Sequence, residues 1–359
     1  MKNIQVSVII PAYNCEKTIS KTLESLINQK IKPKEIIIIN DGSTDGTELV
    51  CKQYANKCGL IKVVSLKKNQ GVSHARNVGL KCAEGNYIHF VDADDTVKNN
   101  IYSVIIKTLN KETVDCIEFG CTFVSGNDFN IIEERYINKD TLCIDKECIA
   151  NFLLSLKYSD KERMLNVIWN KIYSKEIIDK NNIRFDEKIN LGEDFLFNCQ
   201  YFAKMSSYFE IKDCLYNYYQ NQTNNLTSKF RKDILVRRKK IYSAWIKLYQ
   251  DYNIYQAKGE TYFAKYEGKM LYYSLYTIFS PNCYLNNNEK REFLKEIIND
   301  QHSHYIIKYL KFGIEKILIK NKKASVLFSY MKIKVIIKNI IKKKLNRRSY
   351  EENFNSNIS

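Results

Sequence analysis

Three carboxylates stand nearly side by side at Asp92, Asp94 and Asp95, directly after an apolar run that ends at Val91. Crowding like charges at the end of a buried strand is costly unless a cation offsets the repulsion. Two carboxylates at i and i+2 on a turning backbone can face one hard divalent ion together. Mg²⁺ is held in this way, by one or two carboxylates plus substrate phosphates. Asp92-Ala93-Asp94 therefore suits a nucleoside-diphosphate site. The plainer reading is an acidic turn that caps the helix beginning near Lys98. A second acidic turn, Asp41-Gly42-Ser43-Thr44-Asp45, follows the run Ile36–Ile39. Asp41 can accept from a base N–H or a ribose hydroxyl, and Gly42 lets the backbone approach closely. A strand-to-helix turn with Asp45 as N-cap accounts for the same residues.

Arg76 lies in Asn69-x-Gly71-x-x-x-Ala75-Arg76-Asn77, on the first turns of a helix. Its planar fork suits phosphate, unless it belongs to a solvated face with a surface ion pair. Gly192-Glu193-Asp194-x-x-Phe197 opens another helix, about a hundred residues after the Asp-rich turn. A carboxylate there sits at the positive end of the helix dipole. It is either a stabilising feature or a general base within reach of an incoming hydroxyl. His74 and His89 read as structural histidines and receive no role.

The elements that must position these groups alternate. Val6–Ile10, Ile36–Ile39, Lys62–Leu66 and Tyr87–Val91 read as strands. Helical spacing marks Glu16–Gln29, with Asn14 as N-cap, then Asp45–Lys57, Val72–Cys82 and Lys98–Leu109. Buried strands separated by helices predict a mostly parallel sheet covered on both faces, an α/β fold. Right-handed crossovers then gather the strand C-termini on one edge, where ligands of open α/β sheets bind. Pro11-Ala12-Tyr13-Asn14, Asn40–Ser43 and Asp92–Asp95 all leave that edge. Further on, Asp115–Val124, Trp169–Lys175, Ile183–Phe185 and Tyr208–Tyr218 read as strands, and Lys146–Leu156 and Glu193–Met205 as helices.

Taken together and in this order, the motifs Pro-Ala-Tyr-Asn, Asn-Asp-Gly-Ser-Thr-Asp, Ala-Arg-Asn, Asp-Ala-Asp-Asp and Gly-Glu-Asp resemble the family 2 glycosyltransferases. These are inverting enzymes of the GT-A fold that use sugar nucleotides. The nearest likeness is to bacterial enzymes building capsular, lipopolysaccharide or teichoic glycans. The likeness is strong over residues 4–100. It runs more weakly through Trp169-Asn170-Lys171-x-Tyr173, Phe185 and Gly192–Phe197 to Tyr216-x-Tyr218. It implies that Pro11, Ala12 and Tyr13 floor the nucleoside base, with Glu16 beside it, and that Asp41 bonds the base, usually uracil. It implies that Arg76 lies near base and diphosphate. Asp92, Ala93 and Asp94 match the Asp-x-Asp motif that binds ribose and a Mn²⁺ or Mg²⁺ on the diphosphate. Asp95 leaves the register open, so the metal carboxylate is Asp94 or Asp95, and no third protein ligand is found. Asp194 matches the general base, next to Glu193. The implied donor is a UDP-sugar, and the implied acceptor a glycan or polyprenyl-linked glycan.

The 359 residues suit two domains. Residues 1–228 are expected as the GT-A domain, with 1–115 as the nucleotide-sugar half and 116–228 as the acceptor half. A basic helical region follows over 229–348, and a flexible tail over 349–359. Hydrophobic residues make up 45%, enough for a sizeable core, and 12 Gly with 3 Pro exclude collagen-like and Pro-rich architectures. Eleven cysteines without a Cys-x-x-Cys read as idle thiols in a reducing cytosol, with neither structural zinc nor a disulfide framework.

No secretory leader or 18-residue apolar run appears, so the chain is expected in the cytoplasm. The net charge of +17 calls for an anionic partner, and residues 305–348 hold fourteen Lys and Arg against one acid, Glu315. Apolar residues at spacings of three and four interleave them, a pattern that fits peripheral binding to an anionic membrane. The plainer reading is a helical domain with a solvated lysine face, and self-association is a further option. Nucleic acid is not expected, since aromatic interleaving is thin. The competing functional readings are an idle GT-A-fold glycan- or nucleotide-binding module and a nucleic-acid-binding basic tail.

Overall fold

The computed structural model describes residues 3–126, 129–155, 165–189, 191–220, 233–258, 260–280, 283–309, 313–338 and 340. The first hundred residues alternate as expected. The elements are β1 (Val6–Ala12), α1 (Ile19–Ile27), β2 (Glu35–Asn40), α2 (Thr47–Lys57), β3 (Ile61–Ser65), α3 (Val72–Cys82) and β4 (Tyr87–Phe90). Every residue of β2 and β4 is buried, which is why these strands are rich in apolar residues, as in Ile36–Ile39, rather than alternating. Then follow β5 (Thr96–Val97), α4 (Ile101–Lys111), β6 (Cys116–Ser125), β7 (Ile131–Arg135), β8 (Thr141–Cys143), α5 (Lys146–Ser155), β9 (Lys171–Ser174), α6 (Lys175–Lys180), α7 (Glu193–Phe202) and β10 (Tyr208–Gln220).

The strands form one mixed, mostly parallel sheet in the order β3-β2-β1-β4-β9-β6-β10-β5, with β7 on β6 and β8 on β10. β1 pairs in parallel with β2 and β4, so Ala12 lies beside Asn40 and Ile9 beside Phe90. The loops after these three strands therefore leave one edge. The chain order reverses between β2 and β4 across β1, which is where a doubly wound sheet opens a crevice. β9 is antiparallel to both β4 and β6 and joins the two parallel halves. Ile10, Ile36, Ile38, Ile117, Phe119 and Ile172 belong to one apolar core with Leu23 and Leu26 of α1 and Ile105 of α4.

Two expected elements differ. α1 starts at Ile19, not Glu16, because Asn14 takes a left-handed turn (φ 48°) instead of capping. Its side chain accepts from the Thr44 N–H at 2.8 Å, tying the β1 loop to the β2 loop. Ile183–Phe185 is a loop rather than a strand, and its Phe185 N–H donates to the Asn77 side chain at 2.9 Å instead of to a ladder. Cys143 and Cys148 pair as a disulfide between the end of β8 and the first turn of α5, contrary to the expectation that all the thiols stay idle. The other nine cysteines are free.

The chain divides into two compact units, Met1–Asn224 with Ser243–Tyr255, and Asn225–Tyr242 with Gln256–Ser359. α8 (Ile234–Asp251) runs through both, and α9 (Tyr255–Lys258) begins at the end of the first. The second unit is helical: α10 (Glu260–Thr277), α11 (Asn287–Asn299), α12 (Gln301–Ile306), α13 (Ile314–Lys320) and α14 (324–338). Leu271, Leu275, Leu294, Ile297, Leu327 and Met331 form its core. Among the described residues no helix is long and apolar enough to cross a membrane.

Candidate active site

The Asp-rich loop is held from three directions. Thr18 and Thr22, at the start of α1, both donate to the Ala93 carbonyl at 3.0 Å. The Tyr216 hydroxyl of β10 accepts from the Asp92 N–H at 3.1 Å and donates to Asp95 Oδ2 at 2.9 Å. The Tyr219 N–H donates to Asp95 Oδ1 at 2.8 Å. Trp169 stacks on Tyr216 and Tyr218, with centroids 4.5 and 5.5 Å away, and stiffens this support.

The three carboxylates consequently have different surroundings. Asp95 is fully buried with both oxygens bonded to β10. Burial, then the Asp94 and Asp92 charges, raise its proton affinity well above the ordinary carboxylate range. Both of its oxygens tie the loop to the sheet. Asp94 meets solvent at the mouth of the cleft, yet the surrounding protein, followed by the Asp92 charge, pushes it up to about 6. Asp92 reaches Arg76, with Oδ1 3.2 Å from the guanidinium.

Arg76 is the centre of the site. It is 4% exposed on α3 and packs over the Phe185 ring. One guanidinium nitrogen donates to Asp194 Oδ1 at 2.7 Å and Glu193 Oε1 at 3.3 Å, and the other to Asp92. Burial alone would loosen its proton, but Asp194, Asp92 and Glu193 outweigh it, so the net shift is upward. Asp92 and Asp194 thus meet on one cation that is 118 positions from Asp194 in the chain. Asp194 opens α7 behind Gly192, whose left-handed φ of 91° makes the sharp entry into the helix. Burial dominates its titration and pushes it from 3.8 to about 8; Arg76 opposes this, Glu193 and Asp92 add to it, and Lys171 opposes it.

Asn77 holds the approach to α7. Its amide donates to the Phe185 carbonyl at 3.0 Å and to Glu187 at 2.9 Å, while its oxygen accepts from Phe185. His74 pairs with Glu187 at 3.1 Å. Behind the site Lys171 is fully buried, 3.6 Å from Glu118, and bonds Asn170 at 2.8 Å. His89 is also fully buried, donating through Nε2 to the Trp169 carbonyl and accepting from Tyr102. Burial lowers it to about 4, so it stays neutral and structural.

At the other end of the edge, Ala12 is buried, Tyr13 is 48% exposed and Glu16 accepts from the Gly46 N–H at 2.7 Å. Pro11 is half-buried beside them in β1. Asp41 is not free as expected. Its two oxygens accept from the Gln70 and Gly71 N–H groups, both at 2.8 Å, which draws the loop before α3 over the end of β2. Gly42 makes that approach feasible: its φ is 64°, and a Cβ would stand 2.5 Å from the Lys68 carbonyl carbon. Asp45 accepts from Thr47 at the start of α2.

Among the described residues no group of three His, Cys, Asp or Glu side chains could hold a metal unaided. Asp92 and Asp94 fit a partial site of the Mg²⁺ type completed by phosphates. Two crowded carboxylates, one of them holding its proton up to about pH 6, are what a divalent cation relieves. Sequence reasoning missed Thr18, Thr22, Asn77 and the Tyr219 N–H, because a threonine on a helix or a backbone donor on a strand carries no signal of its distant partner.

Residues 7–180 match the model described as glycosyl transferase family 2. The fold is GT-A-like and the matched segment is a glycosyltransferase domain of the family 2 type. The chain is 27% identical over 317 residues to the uncharacterized glycosyltransferase EpsJ of Bacillus subtilis, covering 87% of this chain and 89% of that one. It is 32% identical over 222 residues to the minor teichoic acid biosynthesis protein GgaB of B. subtilis, covering 60% of this chain but only 23% of GgaB. Among solved structures, S. aureus TarS 1–349 in complex with UDP superposes with a TM-score of 0.65 at 21% identity, covering 92% of this chain and 90% of that one. The TarS complex with UDP-GlcNAc gives a TM-score of 0.61 at 22% identity.

Proposed function

We propose that the whole chain is an inverting family 2 glycosyltransferase. It moves a hexosyl or N-acetylhexosaminyl group from a UDP-sugar to a hydroxyl of a glycan or lipid-linked glycan, in the building of bacterial surface polysaccharide. The observation that carries this reading is the Arg76 guanidinium, which joins Asp92 of the donor half to Asp194 of α7 in one cleft. The TarS complexes with UDP and UDP-GlcNAc and the teichoic acid role named for GgaB support the donor and the pathway class.

In this reading Pro11, Ala12 and Tyr13 carry the base, with Glu16 and Asp41 shaping the pocket around it. Asp92 and Ala93 border the ribose. Asp94, with Asp92, would hold Mn²⁺ or Mg²⁺, which supplies charge neutralisation on the diphosphate. Arg76 gives fixed positive charge where the leaving group gains negative charge. Asp194 takes the proton from the acceptor hydroxyl as its oxygen bonds to the anomeric carbon. The bond from that carbon to the phosphate oxygen breaks, and UDP leaves with the electron pair. One displacement inverts the configuration. A carboxyl titrating near 8 is ready for this work, because a general base is best matched when its pKa lies near the working pH.

The test is a melting-temperature screen of nucleotide sugars with Mn²⁺, followed by detection of released nucleotide. A ligand bound only by the folded form raises the melting point by mass action. A UDP-sugar should raise it and be turned over. A donor that binds without turnover would favour the idle binding module, and a panel without any shift would end the nucleotide-sugar reading.

A further inference from the structure

Helix α14 is apolar on two sides. Leu327, Phe328 and Met331 are at most 4% exposed and belong to the core of the helical unit, and Val335 is 7% exposed. Val326, Ile333, Ile336 and Ile337 are 50–58% exposed. Their spacing of three, four and seven residues places them in one stripe, about 17 Å long at 1.5 Å per residue, and exposed Ile340 follows it in sequence. A helix that fills its own core with one stripe has no folding reason to carry a second in water. α13 adds exposed Ile314 and Ile317, and it is tied to α14 by the ion pair of Glu315 with Lys334.

The charge along this stretch of the sequence has one sign. Between Glu315 and Glu351 the sequence has no acid, while twelve Lys and Arg lie in that interval. Glu315, the acid at its edge, is 7% exposed and neutralised by Lys334. Lys332 is exposed on one flank of the stripe and Lys323 before it, and Lys342, Lys343, Lys344, Arg347 and Arg348 follow it in sequence.

We propose that the outer stripe of α14 docks on a bilayer surface rich in anionic headgroups, lying parallel to it with the isoleucines in the acyl boundary and the lysines among the phosphates. Such a helix combines apolar burial with attraction to acidic lipid. A second copy of the chain is a poor occupant, because a symmetric contact would set two cationic surfaces against each other. Nucleic acid is a poor one too, since a stripe of isoleucine and valine offers neither donors to phosphate nor rings for bases to stack on. The inference goes beyond the transfer chemistry and stands without it.

The experiment is sedimentation of the full chain with phosphatidylcholine vesicles, with and without phosphatidylglycerol, beside the double variant Ile333→Asn/Ile337→Asn. Both positions are exposed, so an unchanged melting temperature certifies the variant's fold. The wild type should bind the anionic vesicles and not the neutral ones. The variant should bind at least tenfold more weakly, and raising salt from about 0.1 to about 0.5 M should weaken the wild type similarly. Four results would each overturn the proposal: no binding to anionic vesicles at low salt, equal binding by the variant, equal binding to neutral vesicles, or a wild-type dimer that the variant dissolves without vesicle binding by either. Retention of both proteins on duplex DNA, without vesicle binding, would assign the basic segment to nucleic acid instead.

Discussion

Asp194→Asn separates stability from catalysis, because the wild-type carboxyl titrates near 8 when folded and near 3.8 when unfolded. Between those values the folded state keeps a proton that the unfolded chain has released. Wild-type stability contributed by this group is therefore full below 3.8 and falls as pH rises toward 8. Each pH unit costs about 1.4 kcal/mol, so by pH 7 the loss is about 4 kcal/mol. Asparagine does not titrate and escapes it. The variant replaces the carboxyl acceptor of the 2.7 Å contact from the charged Arg76 by an amide, a change worth up to about 1.5–3 kcal/mol. The net gain is about 1–3 kcal/mol at pH 7 and near zero at pH 5, where the titration accounts for less than about 2 kcal/mol. At about 2–4 °C per kcal/mol for a unit of this size, the variant should melt roughly 2–12 °C higher at pH 7. Nucleotide release should fall about 10²–10⁴-fold, the contribution expected of a general base, with donor affinity unchanged. Melting curves from pH 5 to 8, calorimetric donor titration and nucleotide release are the assays. Ordinary turnover, or a melting difference that does not grow with pH, would refute the assignment.

Asp94→Ala should weaken metal-dependent donor binding about tenfold or more, measured by calorimetry with Mn²⁺. In the wild type that binding should decline as pH falls through about 6, where Asp94 takes up a proton. Gly42→Ala should cost about 1–3 kcal/mol in urea unfolding, since it forces a left-handed backbone on alanine and drives a Cβ into Lys68. Asp41→Asn keeps the size but can accept from only one of the Gln70 and Gly71 N–H groups and sets its own NH₂ against the other, so donor affinity should drop severalfold and stability by about 1–3 kcal/mol. Asn77→Ala releases three hydrogen bonds to the loop before α7 and should lower kcat about tenfold while donor affinity stays constant. Steady-state kinetics with a saturating donor would check it.

The strands around the crevice are legible because burial on both faces leaves no room for polar alternation, so Ile36–Ile39 is an unbroken apolar run and Val6–Ile10 is broken only by Ser7. The loops behind them were legible for the same reason, since polar residues begin where the sheet stops. Asp194 was readable only through family likeness: a carboxylate at a helix start is ordinary, and nothing local says that Arg76 waits 118 residues upstream. Asp41 and Asp95 carry a second duty that their residue type does not announce: in the fold each gives both oxygens to neighbouring backbone or tyrosine groups. The Ile183–Phe185 run reads as a strand because apolar β-branched and aromatic residues fit one; a single side chain, Asn77, captures its backbone first.

The latch on the Asp-rich loop has a consequence for how the molecule is made and cut. Its fasteners, Tyr216 and the Tyr219 N–H, are 121–124 residues downstream of what they fasten. During synthesis at about 5–20 residues per second, the loop stays open for roughly 6–25 s after it emerges. A fragment ending at Lys180, where the family match stops, never receives its fastener. Chimaeras that exchange donor specificity between relatives need their splice point after Gln220, so that the loop and its closing strand travel together.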